Sequence, residues 1–303
     1  MVKEKLRSVC PTCKHNCVYK ADVSAYYCSS CDLLFPRIQG ESFCDTYGMR
    51  DQIDAGTAMY NEDCRDTMIE MNETGIRPHL VITSPPYNMN LRVRNGQYCS
   101  RLSKTRSTKP EEFSTKYEEF TDDLPIKKFL RLHSCILNRL LRISPLVFYN
   151  ISIVTGSKRA FFQMIGDHSE ELKDIIVWDK GHGIPSMRSD ILNRRAELIL
   201  VFSKDGAITR DFDCAQWDRG KLDDLWTIHR QRAPRFGHGA TFPEAMVAKI
   251  LENFSFKGDL VYDPFIGTGT TAVVAKRMNR KFIGSEISES YYKSSLERLA
   301  DAV

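Results

Sequence analysis

The chain has 303 residues, of which 42 % are hydrophobic and 27 % charged, with a net charge of +4. That suffices for one large packed domain plus a small module, and it excludes a disordered polar chain. No apolar run approaches the ~18 residues of a membrane span, the polar start Met1-Val2-Lys3-Glu4-Lys5 is unlike a signal peptide, and a charge of +4 is too small by itself to establish nucleic-acid binding.

Ten cysteines are present, and four of them form two CxxC pairs, Cys10/Cys13 and Cys28/Cys31, separated by fourteen residues. Two such knuckles can place four thiolates tetrahedrally around one zinc ion. Cys17, Cys44, Cys64, Cys99, Cys135 and Cys214 are scattered, which suits a reducing compartment with one metal site better than a disulfide framework. Tyr19, Val23, Tyr26 and Tyr27 between the knuckles suggest a short hairpin. Residues 1–45 therefore resemble a zinc ribbon, with Cys17 as a spare ligand. Four thiolates leave no open position, so the expected Zn2+ is structural, holding together a module too small to build a core. Lys14, His15, Lys20 and Arg37 would permit a DNA contact, which Asp22 and Asp32 dilute.

A break near 42–54 leads into a main domain over 52–303. Leu80-Val81-Ile82 reads as a short buried strand entering Ser84-Pro85-Pro86-Tyr87. Residues 88–116 are polar without a clear period and carry Arg92, Arg94, Arg101, Lys104, Arg106, Lys109 and Lys116 against only Glu111 and Glu112. A loop that long in a compact domain is functional or mobile, and its basic side chains could grip phosphates. Residues 126–143 repeat apolar positions at helical spacing, with Pro125 suited to the first turn. Strands are expected at 146–151, 175–178 and 197–202, and a helix at 161–172. Residues 204–237 carry a second basic stretch at Arg230, Arg232 and Arg235. Thr241-Phe242-Pro243-Glu244 has capping-box spacing and opens a helix to Phe254. A strand at 260–262, a helix at 270–278, a strand at 281–284 and a helix at 290–300 follow. Alternating strands and helices imply a mostly parallel sheet covered on both faces.

Two segments carry the chemistry. Asp263-Pro264-Phe265-Ile266-Gly267-Thr268-Gly269-Thr270-Thr271 is a strand–glycine-loop–helix turn, whose glycines let a ligand approach backbone. Glu286, seventeen residues beyond Gly269, ends the next strand, where a carboxylate can bind both ribose hydroxyls of a nucleoside. No lysine follows Gly269, which disfavours a P-loop, and Ala272 stands where a dinucleotide fold wants a third glycine. In the other segment, two prolines stiffen the turn and remove N–H donors. The Ser84 hydroxyl and the Pro85 carbonyl remain as acceptors, beside a flat Tyr87 ring. That suits a planar base with an exocyclic NH2.

The order of these segments resembles the β class of amino-directed DNA methyltransferases, from about Tyr60 onward. Ser84–Tyr87 resembles the catalytic motif. The 263–271 segment resembles the S-adenosylmethionine motif, with Thr268 where serine is frequent, and Glu286 matches the ribose acid. Asn61-Glu62-Asp63-Cys64 resembles the segment that places Asp63 near the adenine. Residues 238–244 resemble the segment before the cofactor strand, with Gly239 replacing a usual proline, 193–202 resemble a later catalytic strand, and 204–237 lie where this class often carries target recognition.

The resemblance implies a Rossmann-like, circularly permuted methyltransferase fold. It implies methyl transfer from S-adenosylmethionine to an exocyclic amine of a flipped base in double-stranded DNA, without a covalent enzyme intermediate. It also implies a cytoplasmic enzyme of a bacterial or phage-infected cell that could pair with a restriction nuclease. Carbon-5 methylation of cytosine is disfavoured, because the chain has no Pro-Cys pair to supply its nucleophile. Serine before Pro-Pro is more typical of N4-cytosine enzymes, while adenine N6 enzymes mostly carry Asp or Asn; acceptor strength alone does not choose the base. RNA or protein-glutamine methyltransferases usually place the cofactor loop before the catalytic turn, whereas here it follows by about 180 residues. A catalytically dead zinc-ribbon DNA-binding protein is weighed against by the intact motif set.

Overall fold

In a computed structural model, residues 56–88, 124–154, 156–183, 190, 192–204, 209–230 and 243–302 are described in full, and 18–20, 25–28, 33–36, 50–54, 92–94, 97–99, 114–115 and 184 by backbone. In chain order come β1 (Val18–Lys20), β2 (Ala25–Cys28), β3 (Leu33–Pro36), β4 (Arg50–Asp54), β5 (Thr57–Tyr60), α1 (Cys64–Thr74) and β6 (Leu80–Thr83). Then follow β7 (Arg92–Arg94), β8 (Gln97–Cys99), β9 (Ser114–Thr115), α2 (Ile126–Ile143), β10 (Leu146–Ile151), α3 (Lys158–Asp167), β11 (Leu172–Ile184) and β12 (Arg194–Ser203). The chain ends with β13 (Leu225–Thr227), α4 (Glu244–Phe254), β14 (Leu260–Asp263), α5 (Thr270–Arg277), β15 (Lys281–Ser285) and α6 (Glu289–Asp301).

The first three strands form a small antiparallel sheet, so a hairpin does lie between the CxxC pairs. Cys28 ends β2 and is described by backbone alone, while Cys10, Cys13 and Cys31 lie outside the described residues.

Nine strands form the main sheet in the order β13-β11-β12-β10-β6-β14-β15-β5-β4. Five of its eight junctions are parallel and three antiparallel, so the sheet is more mixed than alternation alone predicts. The antiparallel junctions fall where β12 returns beside both β10 and β11, and at the β4 edge. Sheet coverage is as expected. Leu80 and Ile82 of β6, Phe148 of β10 and Val261 of β14 pack on one face with Val247, Ile250 and Val273 of α4 and α5. The alternate residues Val81, Val147, Tyr149 and Tyr262 pack on the other with Met68, Phe129, Leu137 and Phe161 of α1, α2 and α3. Period-2 alternation in strands buried on both sides fills both cores from one apolar run.

Three local expectations are corrected. The helix expected over 161–172 is α3, which ends at Asp167; Leu172 N–H closes the following turn on His168 O (3.0 Å), and Leu172 then pairs with Phe202 in the sheet. The capping box does not form, because Glu244 is the first helical residue behind Pro243. Its carboxylate instead accepts from Arg277 (2.7 Å) and Arg298 (3.2 Å), tying α4 to α5 and α6. Residues 88–116, without a period in sequence, contribute the three-stranded antiparallel sheet β8-β7-β9. Helix α1 and strand β13 were not anticipated. Among the described residues, no helix is long and apolar enough to cross a membrane.

His133 of α2 lies buried between Phe129 and Phe161, with Nδ1 2.5 Å from the Tyr149 hydroxyl. Burial lowers its pKa to about 3. Between that value and the ordinary ~6.5, the unfolded chain binds a proton that the folded one refuses, so this group's contribution falls as pH drops through that window. Replacing His133 with Gln is expected to remove a slope of up to about 1.4 kcal/mol per pH unit below pH 6.5. Urea midpoints of parent and variant, compared from pH 7 to 5, isolate the histidine from groups common to both.

Candidate active site

Strand β6 runs parallel to β14, with Val261 opposite Leu80 and Tyr262 opposite Val81. Both chains therefore leave the sheet at the same edge, and the turn after Thr83 emerges beside the turn after Asp263. Motifs about 180 residues apart in sequence thus become neighbours.

The cofactor-side turn is held by carboxylates. Asp263 is buried; its Oδ1 accepts from the Phe265 N–H (3.0 Å) and its Oδ2 from the Thr271 hydroxyl (2.6 Å). Burial raises its pKa to about 6, against the lowering effect of those bonds. Gly267 and Gly269 adopt φ of +54° and +83°, a region that favours glycine. A Cβ on Gly269 would stand 2.9 Å from Ser295 Cβ of α6, whereas one on Gly267 would meet nothing nearer than Phe265 O at 3.9 Å. Gly269 is thus required for packing, and Gly267 leaves open space beside the backbone. Glu286 spans the mouth: Oε2 accepts from Gly267 N–H (2.9 Å) and Oε1 from Ser288 N–H (2.9 Å). The open space at Gly267 and a carboxylate at its edge fit a nucleoside cofactor. Pro264 and Phe265 form the turn, and Thr270, buried, opens α5. Arg298 donates to Thr268 O (2.7 Å), bracing it.

Asp63 has a local occupation. It caps α1 by accepting from Arg65 N–H (2.9 Å), and it forms an ion pair with the Arg65 guanidinium (2.6 Å). Burial alone would raise its pKa, but the Arg65 bonds and charge outweigh that and hold it low.

The Ser84–Tyr87 turn meets residues that sequence reasoning did not single out as site residues. Ser84 Oγ lies 2.8 Å from the Tyr87 hydroxyl. Asn150 of β10 donates from Nδ2 to that hydroxyl (2.5 Å) and to Glu197 Oε2 (2.8 Å). Tyr87 also reaches Glu197 Oε2 (3.3 Å), and Lys180 of β11 pairs with Glu197 Oε1 (2.5 Å). Register explains the meeting: Tyr149 faces Thr83, Asn150 faces Ile199, and Trp178 faces Glu197. Asn150 and Lys180 are only 2 % and 3 % exposed. Burial lowers the Lys180 pKa, Glu197 opposes that, and nearby Arg230 and Arg194 add to it. The available signal was Asn150 inside an apolar strand run, whereas Lys180 and Glu197 lie in polar stretches of β11 and β12. The Tyr87 ring is half-buried, with the edge of Phe161 at 6.5 Å.

Of the expected DNA contacts, Arg230 is exposed just past β13. Arg92 and Arg94 are described by backbone in β7, and Arg101, Lys104, Arg232 and Arg235 lie outside the described residues. Within 204–237, β13 joins the sheet edge with Trp226 fully buried, so part of that region is core.

The family model described as DNA methylase matches residues 78–297. The chain belongs to the DNA methylase family. The family's name joins N6 and N4 amino methylation. It is 25 % identical over 268 residues to the Type II methyltransferase M.BglII of Bacillus subtilis, a match covering 77 % of this chain and 66 % of that protein, just under two thirds of its length. Among solved structures, M1.HpyAVI in complex with SAM superposes with a TM-score of 0.54 at 18 % identity, over 80 % of this chain and 98 % of that one. PvuII DNA methyltransferase (cytosine-N4-specific) gives 0.56 at 19 %, over 80 % and 86 %. These two likenesses concern the fold.

The two glycines of this DNA methylase are expected to separate in experiment. Replacing Gly269 with Ala should cost about 3 kcal/mol of stability from its φ and the Ser295 clash. Replacing Gly267 with Ala should cost about 1–2 kcal/mol, yet weaken S-adenosylmethionine binding the more per unit of stability lost. Urea denaturation and calorimetric titration measure the two effects.

Proposed function

We propose that this DNA methylase methylates N4 of cytosine in double-stranded DNA, on a base flipped into the pocket beside Ser84–Tyr87. The supporting observation is the parallel β6/β14 pairing, which sets an acceptor-rich turn against a glycine turn at one sheet edge. Gly267, Gly269 and Glu286 would hold the nucleoside part of the cofactor, with Asp63 toward the adenine and Asp263, Pro264, Phe265 and Thr270 shaping the loop. When bound, S-adenosylmethionine supplies the methyl group.

The chain's own residues do the rest. The Ser84 hydroxyl and the Pro85 carbonyl accept from the two amine hydrogens, holding the nitrogen with its lone pair available. Pro86 stiffens the turn and keeps N–H donors away from those acceptors. Flipping costs a few kcal/mol, offset in part by stacking on Tyr87. The hydroxyl bonds of Tyr87 fix the ring before the base arrives. Acceptors preset in a dry pocket stabilise positive charge developing on nitrogen without reorganisation. The basic residues Arg92, Arg94, Arg101 and Lys104 would grip phosphates near the catalytic turn, and Arg230, Arg232 and Arg235 would face the target sequence. Ser84 favours cytosine; adenine N6 is the alternative substrate.

Around this core we place a structural zinc on Cys10, Cys13, Cys28 and Cys31, a cytoplasmic setting, and pairing with a restriction nuclease as in Type II systems.

Duplex DNA incubated with labelled S-adenosylmethionine should acquire label, and mass spectrometry of its nucleosides should give N4-methylcytosine. N6-methyladenine alone would overturn the base assignment. Replacing Ser84 with Ala should lower single-turnover transfer by roughly 10²-fold with cofactor binding kept; an unchanged rate would remove Ser84 from the mechanism. Elemental analysis should find about one zinc per chain, and changing Cys10 and Cys13 to Ser should abolish it.

A further inference from the structure

Methylating an amine leaves one proton too many on the nitrogen, and neither acceptor of the Ser84–Pro85 turn can keep it. A neutral serine and a carbonyl are too weakly basic. Around the turn, Asn150 holds no titratable proton and Lys180 is a donor already paired. The carboxylate of Glu197 is the one strong base of this cluster.

The hydrogen-bond directions follow from that carboxylate, which can only accept. Asn150 Nδ2 stands 2.8 Å from Glu197 Oε2, so it must be the amide nitrogen that faces Glu197. Its two hydrogens go to Glu197 and, at 2.5 Å, to the Tyr87 oxygen. Tyr87 then directs its own hydrogen toward Glu197 Oε2 (3.3 Å), and Ser84 directs its hydrogen to the Tyr87 oxygen (2.8 Å). The donors converge on the Tyr87 oxygen and, beyond it, on Glu197 of β12. Ser84 Oγ is left presenting lone pairs to a base amine, with only a long approach from Asn150 (3.4 Å) competing.

We propose that Glu197 is the terminal proton acceptor of the reaction, reached through Ser84 and Tyr87. This rests on the amino-methylation reading above. As the amine nitrogen bonds to the methyl carbon, the carbon–sulfur bond breaks and its electron pair stays on sulfur. The surplus proton passes from nitrogen to Ser84 Oγ, the Ser84 proton to the Tyr87 oxygen, and the Tyr87 proton to Glu197. Ser84 and Tyr87 end as they began, and Glu197 ends neutral before releasing its proton to solvent. Lys180 pairs with Glu197 and sets a positive charge beside the carboxylate, with Arg194 and Arg230 the further charges felt by Lys180. Asn150 acts as a positioning residue, clamping Tyr87 to Glu197.

The test compares Glu197→Gln, Tyr87→Phe and their combination with the parent by single-turnover methyl transfer across pH. Because Glu197→Gln leaves Lys180 buried without its counter-charge, the Lys180→Met/Glu197→Gln double variant is measured beside it. Cofactor affinity by calorimetry and base flipping by 2-aminopurine fluorescence are read on all variants. The expected result is a loss of about 10²-fold in rate and loss of the acid limb contributed by Glu197. Any limb due to Asp263 should persist and appear in cofactor binding. Cofactor affinity and flipping should stay near parent, and the combined Glu197/Tyr87 variant should be no slower than either alone. Rates within threefold of parent, losses that multiply, or losses that follow weakened binding would each overturn the relay. An active parent with an unchanged Glu197→Gln overturns the relay alone; a parent that transfers no methyl group to DNA overturns the reading beneath it as well.

Discussion

The parallel pairing of β6 with β14 is the constraint on which the rest depends. Only two register pairs define it, Leu80 with Val261 and Val81 with Tyr262. All four side chains are buried, three aliphatic and one a tyrosine ring whose hydroxyl meets Ser285 Oγ (3.0 Å), and they alternate between the two cores. The pairing is therefore set by burial on both sheet faces, since a one-residue slip would exchange the residues assigned to each core. Parallel direction then makes both following turns leave at the carboxyl edge. A site assembled this way needs no continuity in sequence, which is why two turns about 180 residues apart emerge at one sheet edge.

Carboxylates organise both sides of that cleft, with opposite consequences. On the cofactor side, Asp263 and Glu286 are occupied by backbone N–H groups and a threonine hydroxyl, and they shape a loop. Asp263 is buried enough that its pKa rises to about 6 despite the bonds from Phe265 of the loop and Thr271 of α5, so its charge is expensive and its value lies in geometry. Glu197 is different: its partners are side chains that reach the reactive turn, and a buried lysine balances it. Removing either member of such a pair leaves an uncompensated charge, which gives the cluster a strict composition.

What could be read from sequence follows from where the information sits. Helix α2 and strand β10 were expected with their observed bounds, because an apolar period or run bounded by Pro125 and Ser144 is a local signal. The Gly267/Gly269 turn was legible because positive φ demands glycine. Helix α1 was not: its apolar face holds only Cys64, Met68 and Met71 among charged residues, and it is stabilised by packing and by the Asp63 cap. The end of α3 was overrun because apolar Leu172 continues the helical period while belonging to the next strand. Asn150, Lys180 and Glu197 were illegible as a group because each lies on a different strand, and Lys180 and Glu197 sit among other polar residues of β11 and β12. Their meeting depends on β12 returning antiparallel between β10 and β11, which no local pattern announces.

That return also bears on the residue before Pro-Pro. An acid there would put negative charge directly against the base amine. On the proposed function Ser84 puts a neutral oxygen there instead, and the carboxylate of Glu197 enters from another strand, two hydrogen bonds away through Tyr87. On the proposed relay, the site keeps the proton-accepting capacity of a carboxylate while presenting to the substrate only the geometry of a hydroxyl. The weaker ground-state acceptor binds the uncharged amine less tightly than a carboxylate would. Its polarisation by Glu197 grows as positive charge builds on nitrogen, so the gain falls on the transition state more than on the bound base.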